Sequence, residues 1–450
     1  MAERGIGRDT SRIAPRTSDG PAPLSYAQQS MWLHHRAFPE SPAYNVCLLV
    51  RMSGDLDISA LHTALRGVVR RHAILRTTYD DGPVQHIHDD DSLDLPVRDY
   101  PGTGADAEAW ARAQAGRIAA RPFDLRTERP IRTELLRLAP REHGLVVVIH
   151  HIACDGTVWG TMSGELAALY RAALTGEPDG LAPLPIQYAD YAAWEQRRPL
   201  SQEDLEYWRR RLDPAPEPLD LPTDRPRTAT VSETGGHRVR RFDDAVTAGI
   251  RDLAARENAT PFMVMLAGYA ALLHRYTGAT DIPVGSLVQS REHAETQPLI
   301  GHFGNTLVLR TDLSGNPTFR ELLARVRQNC TEDFAHQALP YDKIVEELRP
   351  ARPRGRSPYF DTMFMYLAHE IGELDLPGIT SWWTHIPSGA VHFDLSLEAF
   401  ARSHGLEVEA TFRRELFDDE RIDALLAHLE TLLRSAVTDP GRRITDLELL

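Results

Sequence analysis

The stretch Val146-Val147-Val148-Ile149-His150-His151-Ile152-Ala153-Cys154-Asp155-Gly156 decides how this chain is read. Its opening run is apolar and β-branched, which fits a buried strand. Two histidines end the run, and an Asp-Gly pair follows after three intervening residues, the chemistry of a tight turn. An imidazole is therefore placed at a strand end, with a carboxylate and a glycine beside it. HHxxxDG fixes four identities in seven positions, so a chance match in one chain of this length is rare.

Neighbouring side chains in a strand point to opposite faces. His150 is therefore expected to pack inward as structural support, and His151, nearer the loop, to do the chemistry. A neutral imidazole near pH 7 can take a proton from an attacking amine or hydroxyl, or orient that group. No G-x-S-x-G elbow is present; Gly160-Thr161-Met162-Ser163-Gly164 does not fit it, and no phosphate-binding Walker string occurs. A histidine without a protein nucleophile favours direct acyl transfer, in which the acceptor itself attacks the acyl donor. Asp155, just ahead of a glycine turn, reads as a structural ion-pair or turn residue. The Gly156 backbone N–H is a candidate oxyanion donor, because glycine permits close backbone approach. His143, His151, Cys154 and Asp155 could ligate a metal, but no second cluster with ligand spacing accompanies them. No metal is expected.

At 450 residues the chain is too long for one compact core, so two subdomains are expected. No apolar run reaches the length of a membrane span, and residues 1–22 lack the apolar segment of a signal peptide. Residues 1–22 read as a disordered leader. Cys47, Cys154 and Cys330 are scattered, which suits a reducing cytoplasm. A net charge of −14 without an evident basic stripe argues against nucleic acid as partner.

Strands are expected at 46–51 and 145–149, with helices at 59–71, 106–120 and 157–174. The second half predicts helices at 261–276, 318–335 and 419–435. Its strands fall at 282–288, 306–310, 361–366, 394–400 and 406–412. Pro183-Leu184-Pro185 marks a boundary, giving lobes at 23–185 and 186–450. Helices and strands interleave in both, so the fold class is α/β or α+β.

With these surroundings HHxxxDG resembles the condensation domains of nonribosomal peptide synthetases, in the chloramphenicol acetyltransferase-like superfamily. Other strings carry the resemblance in order. Ser25-Tyr26-Ala27-Gln28-Gln29-Ser30-Met31-Trp32-Leu33-His34 is similar to SxAQxRxWxL. Arg71-His72-Ala73-Ile74-Leu75-Arg76-Thr77 is similar to RHExLRT, and Tyr188-Ala189-Asp190-Tyr191-Ala192-Ala193-Trp194 matches YxDYAxW. Ile300-Gly301-His302-Phe303-Gly304-Asn305-Thr306 resembles IGxFVNT, and His336-Gln337-Ala338-Leu339-Pro340-Tyr341 resembles HQDxPF. Ser30, Ala73, Gly304 and Thr157 depart from the usual residues.

The resemblance implies two acetyltransferase-like lobes in a V-shaped pseudo-dimer with a central tunnel. The C-terminal lobe is expected to carry a floor loop and a latch. It implies that His151 is the catalytic histidine and that Arg291 pairs with Asp155, with Arg71 and Arg76 buttressing the loop. Asn305, Thr306 and Ser388 are expected to line the tunnel. The implied reaction moves an acyl or aminoacyl group from a carrier-protein thioester to an amine or alcohol. No cofactor of its own is expected, since the substrate rides on the carrier's 4'-phosphopantetheine. The expected partners are peptidyl or acyl carrier proteins and an acceptor, with no membrane or nucleic acid. A cytoplasmic, monomeric, free-standing enzyme is expected. The alternatives are an O-acyltransferase using coenzyme A or a carrier, and a non-catalytic recruitment module.

Overall fold

The computed structural model describes residues 12–449, apart from 19, 103, 105, 229–231, 352–355, 368–373 and 403–404. The chain forms two compact units. The first holds the residues up to Pro199, the segment Ser290–Phe303 and the stretch ending at Ser388; the second holds the rest. A single cut at 185 therefore does not describe the chain.

The first unit is built on a five-stranded sheet in the order Ile379–Ile386, Asn45–Gly54, Glu142–His150, Ile131–Ala139, Val97–Asp99. Neighbours are antiparallel except for the last pair. Glu142–His150 lies in the middle, and every residue from His143 to His150 is buried. That position accounts for its unbroken apolar run, since a strand covered on both faces has no polar side to alternate with. Helices Ile58–Arg71 and Val158–Thr175 pack together in the same unit. Asp57 caps the first by accepting from the Ala60 N–H, and the second ends at Gly176 in the left-handed conformation (φ 74°).

The leader expected at 1–22 needs correcting where it is described. Ile13 is buried in the first unit's core, the Arg16 N–H donates to Asp190 at 2.8 Å, and Ala22–Pro23 pairs with Val84–Ile87. Residues 1–11 lie outside the described residues.

The second unit carries a six-stranded sheet ordered Gly304–Asp312, Asp281–Gln289, Thr362–Leu367, Leu395–Arg402, Gly405–Arg413, Gly235–Arg241. Its core centres on the helix Pro261–Thr277, in which Met263 to Leu273 are all buried. Thr260 caps this helix, Pro261 opens it and Gly278 ends it in the left-handed region. The strand Ile379–Ile386, rich in Ile, Thr and Trp, is absent from the expected strands, and it pairs with Asn45–Gly54 on the first unit's sheet. No helix among the described residues is long and apolar enough to cross a membrane.

Candidate active site

The strand Glu142–His150 stops at His150, and His151–Ala153 forms one turn of 3-10 helix. His150 is buried, with its ring among Tyr44, Phe123 and His35. Its Nδ1 accepts from the Ile152 N–H at 3.1 Å, so the ring proton sits on Nε2. Burial, then the neighbouring His35, holds its pKa well below the ordinary value. His150 is thus an uncharged brace that closes the turn.

His151 is only partly buried. Its backbone N–H donates to the Tyr44 carbonyl at 2.7 Å, and its Nδ1 lies 2.8 Å from the Cys154 carbonyl oxygen. A carbonyl only accepts, so Nδ1 carries the hydrogen and the lone pair lies on Nε2. Burial lowers the His151 pKa, while the hydrogen bonds to backbone carbonyls pull it back up. The net shift is downward, which leaves the ring neutral near pH 7.

A second histidine stands beside it. His302 is buried, its Nδ1 lies 2.9 Å from the same Cys154 oxygen, and the two rings meet edge to face at 4.9 Å. The two Nδ1 atoms are 3.1 Å apart. A carbonyl only accepts, so we assign the hydrogen to Nδ1 in both rings, and the approach then sets two N–H groups side by side.

Asp155 is taken up by hydrogen bonds of its own. Arg291 Nη2 donates to both of its oxygens at 3.0 and 3.2 Å, and the Phe303 N–H donates to Oδ2 at 3.1 Å. Oδ1 also accepts from the Thr157 N–H at 3.0 Å and the Thr157 hydroxyl at 2.6 Å. Arg291 Nη1 donates to the Thr296 and Leu299 carbonyls, and the guanidinium lies 4.1 Å from the Phe303 ring centre. A carboxylate with five hydrogen bonds from four donor groups is a clamp between the turn and the segment Ser290–Phe303. Gly156 follows it, exposed.

Residues quoted only as parts of motifs prove to hold the turn. Gln28, in the helix Tyr26–Ala37, donates to the Ile152 carbonyl at 3.2 Å. The Tyr188 hydroxyl donates to the His302 carbonyl at 2.6 Å and lies 2.8 Å from the Ser25 hydroxyl. Tyr188 also explains Gly301: a Cβ there would sit 2.1 Å from Tyr188 Cδ2. His72 Nδ1 accepts from the Ile300 N–H at 3.2 Å, and its Nε2 faces Glu165 at 2.7 Å.

The other candidates divide. Arg71 donates to Glu165 at 2.7 Å and to the Ala182 carbonyl, so it braces the helix that follows the turn. Arg76 donates to the His88 carbonyl, beside the strand Thr77–Asp80. Asn305 is also occupied. Its amide donates to the Gln337 and Leu339 carbonyls at 2.8 Å each, and its Oδ1 accepts from the Thr306 and Tyr341 N–H groups. Asn305 therefore ties its strand to the 336–341 loop. Thr306 lies on the strand Gly304–Asp312, opposite Leu287, and Ser388 ends the stretch that returns to the first unit. His302 was missed as a site residue. The available signal was a titratable side chain amid the buried Leu299, Ile300 and Phe303.

The family model for the condensation domain matches residues 18–450. The chain is 38% identical over 435 residues to chondramide synthase cmdD of Chondromyces crocatus, covering 95% of this chain and 11% of that protein. It is 40% identical over 455 residues to a linear gramicidin synthase of Brevibacillus parabrevis, covering 99% of this chain and 9% of that protein. The chain thus spans about a tenth of the length of these two relatives. Among solved structures, it resembles the X-domain from teicoplanin biosynthesis at 31% identity and a TM-score of 0.87, covering 98% of this chain and 100% of that one. The X-domain in complex with OxyB matches at 31% identity and a TM-score of 0.85, over 98% and 99% of the two chains. The ordered motifs, the turn that they build and these matches along the whole chain give one conclusion: the chain belongs to the condensation-domain family of nonribosomal peptide synthetases.

Proposed function

We propose that this condensation domain is catalytic, moving an acyl or aminoacyl group from a carrier-protein thioester to an amine or alcohol. The observation that carries this reading is the His151–Cys154 hydrogen bond, which assigns the proton to Nδ1 and leaves the lone pair on Nε2. The acceptor's nitrogen or oxygen attacks the thioester carbonyl while His151 Nε2 orients its N–H or O–H or takes the proton. The new C–N or C–O bond forms, the C–S bond breaks, and the proton ends on the phosphopantetheine sulfur. Because no protein nucleophile is needed, the acyl group passes in one transfer. The Gly156 N–H is our assignment for the developing oxyanion, with Ser388 as a substrate-contacting side chain. Asp155, Arg291, His150 and Arg71 keep the turn in shape.

The test is intact-mass spectrometry of an aminoacyl-loaded carrier protein mixed with the chain and a panel of free and carrier-bound amines and alcohols. His151→Ala runs beside the wild type. Transfer that depends on His151 supports the reading, and the accepted partner separates amide from ester formation. Loss of the acyl group at equal rates in both proteins sinks it. A recruitment role is the second reading, favoured by the likeness to an X-domain that is also known in complex with OxyB. It predicts no transfer by either protein with any acceptor.

A further inference from the structure

We infer that His302 is a positioning residue for His151: by sharing the Cys154 carbonyl through its own Nδ1–H, it keeps the His151 ring neutral with the Nε2 lone pair available. The inference rests on the catalytic reading of His151, and the geometry behind it lies within the first unit. Both Nδ1 atoms are within 2.9 Å of one oxygen and 3.1 Å from each other. The two nitrogens approach that oxygen from the same side, so the two N–H groups converge on it together.

Adding a proton to His151 Nε2 spreads positive charge over the ring, including its Nδ1–H. That charge then faces the positive end of the His302 N–H dipole at close range, in a buried site that screens poorly. His302 itself resists protonation, chiefly through burial and then through His151, so it meets His151 as a neutral donor. Its own placement is fixed on both sides. The Tyr188 hydroxyl holds its carbonyl, and the next residue, Phe303, donates its N–H to Asp155. The other titratable or charged groups around His151 are His150, Tyr44, Cys154 and Asp155, with Arg291 beyond Asp155. Of these, Asp155 favours the imidazolium. His302 is the neighbour that shares the oxygen on which His151 depends.

The decisive variants are His302→Phe, which keeps a buried ring without the donor, and His302→Asn, whose amide N–H can replace Nδ1–H. Imidazole nitrogen NMR of 15N-histidine-labelled protein gives the tautomer and titration of His151, assigned by loss of its signals in His151→Ala. In His302→Phe the His151 titration should move up by about one unit. The acid limb of the transfer rate should move with it, and His302→Asn should restore both. An unmoved His151 titration in His302→Phe overturns the inference. So does a wild-type spectrum with the His302 proton on Nε2, a result that needs no variant to fold. If the titration moves but transfer is insensitive to His151→Ala, the positioning stands and the catalytic reading fails.

Discussion

Arg291 and Asp155 are 136 residues apart in sequence, yet Arg291 Nη2 contacts both carboxylate oxygens, with both side chains almost fully buried. Removing one partner from such a pair leaves the other as an uncompensated charge, at a typical cost of about 3–5 kcal/mol. Asp155→Ala should therefore lower the melting temperature together with any activity. An inactive Asp155→Ala with a wild-type melting curve would show that the carboxylate acts in the chemistry instead.

The acid side of the rate profile should report His151. Burial holds its pKa below 6.5, so the lone pair is present at pH 7 and is lost as the pH falls through the lowered value. We expect a level rate from pH 7 upward and a decline whose midpoint lies below 6.5. A midpoint above 6.5 in kcat/KM would contradict the assignment.

His150 makes a separate prediction about stability. Its folded pKa is well below its unfolded value, so below pH 6.5 the unfolded chain binds the extra proton and the folded chain does not. Stability should fall as pH drops beneath 6.5, by up to about 1.4 kcal/mol per pH unit from this one group. Chemical unfolding between pH 7 and pH 5 measures the slope, and His150→Phe should make it shallower, with His151 and His302 keeping their own share. An equal slope in the variant would assign the loss elsewhere.

Tyr188→Phe removes one oxygen and leaves the ring against Phe303, at 5.0 Å between centres. The His302 carbonyl and the Ser25 hydroxyl would each lose a buried partner. The expected loss is about 1–3 kcal/mol, read as a lower urea midpoint at constant m-value. A midpoint within error of the wild type would mean that other groups or water replace the hydroxyl.

Much of the framework was legible because it was periodic. The run at 146–149 became the middle of a strand, and the apolar spacing at 59–71 and 261–276 became helices with bounds one residue away. His150 and His151 separated into inward and half-open positions, although the turn, more than strand alternation, divides them. The less legible features depend on distant residues. Nothing within Ile379–Ile386 shows that its partner is Asn45–Gly54. Asn305 resembles a substrate contact until the 336–341 loop folds over it, and Arg76 resembles a loop support until it meets His88. His302 is inconspicuous in sequence because its meaning lies in an oxygen of Cys154, a backbone atom that sequence inspection does not single out.

The strand Ile379–Ile386 also bears on how the protein comes into being. A nascent chain released only to residue 199 would hold the histidine turn but neither Arg291 nor the strand that covers Asn45–Gly54. That edge would present open hydrogen-bonding groups throughout translation of the intervening residues, a period of exposure to pairing with other chains. The first unit is therefore complete only once residues up to 388 have been made, and a gene cut after residue 199 would yield an unfinished protein.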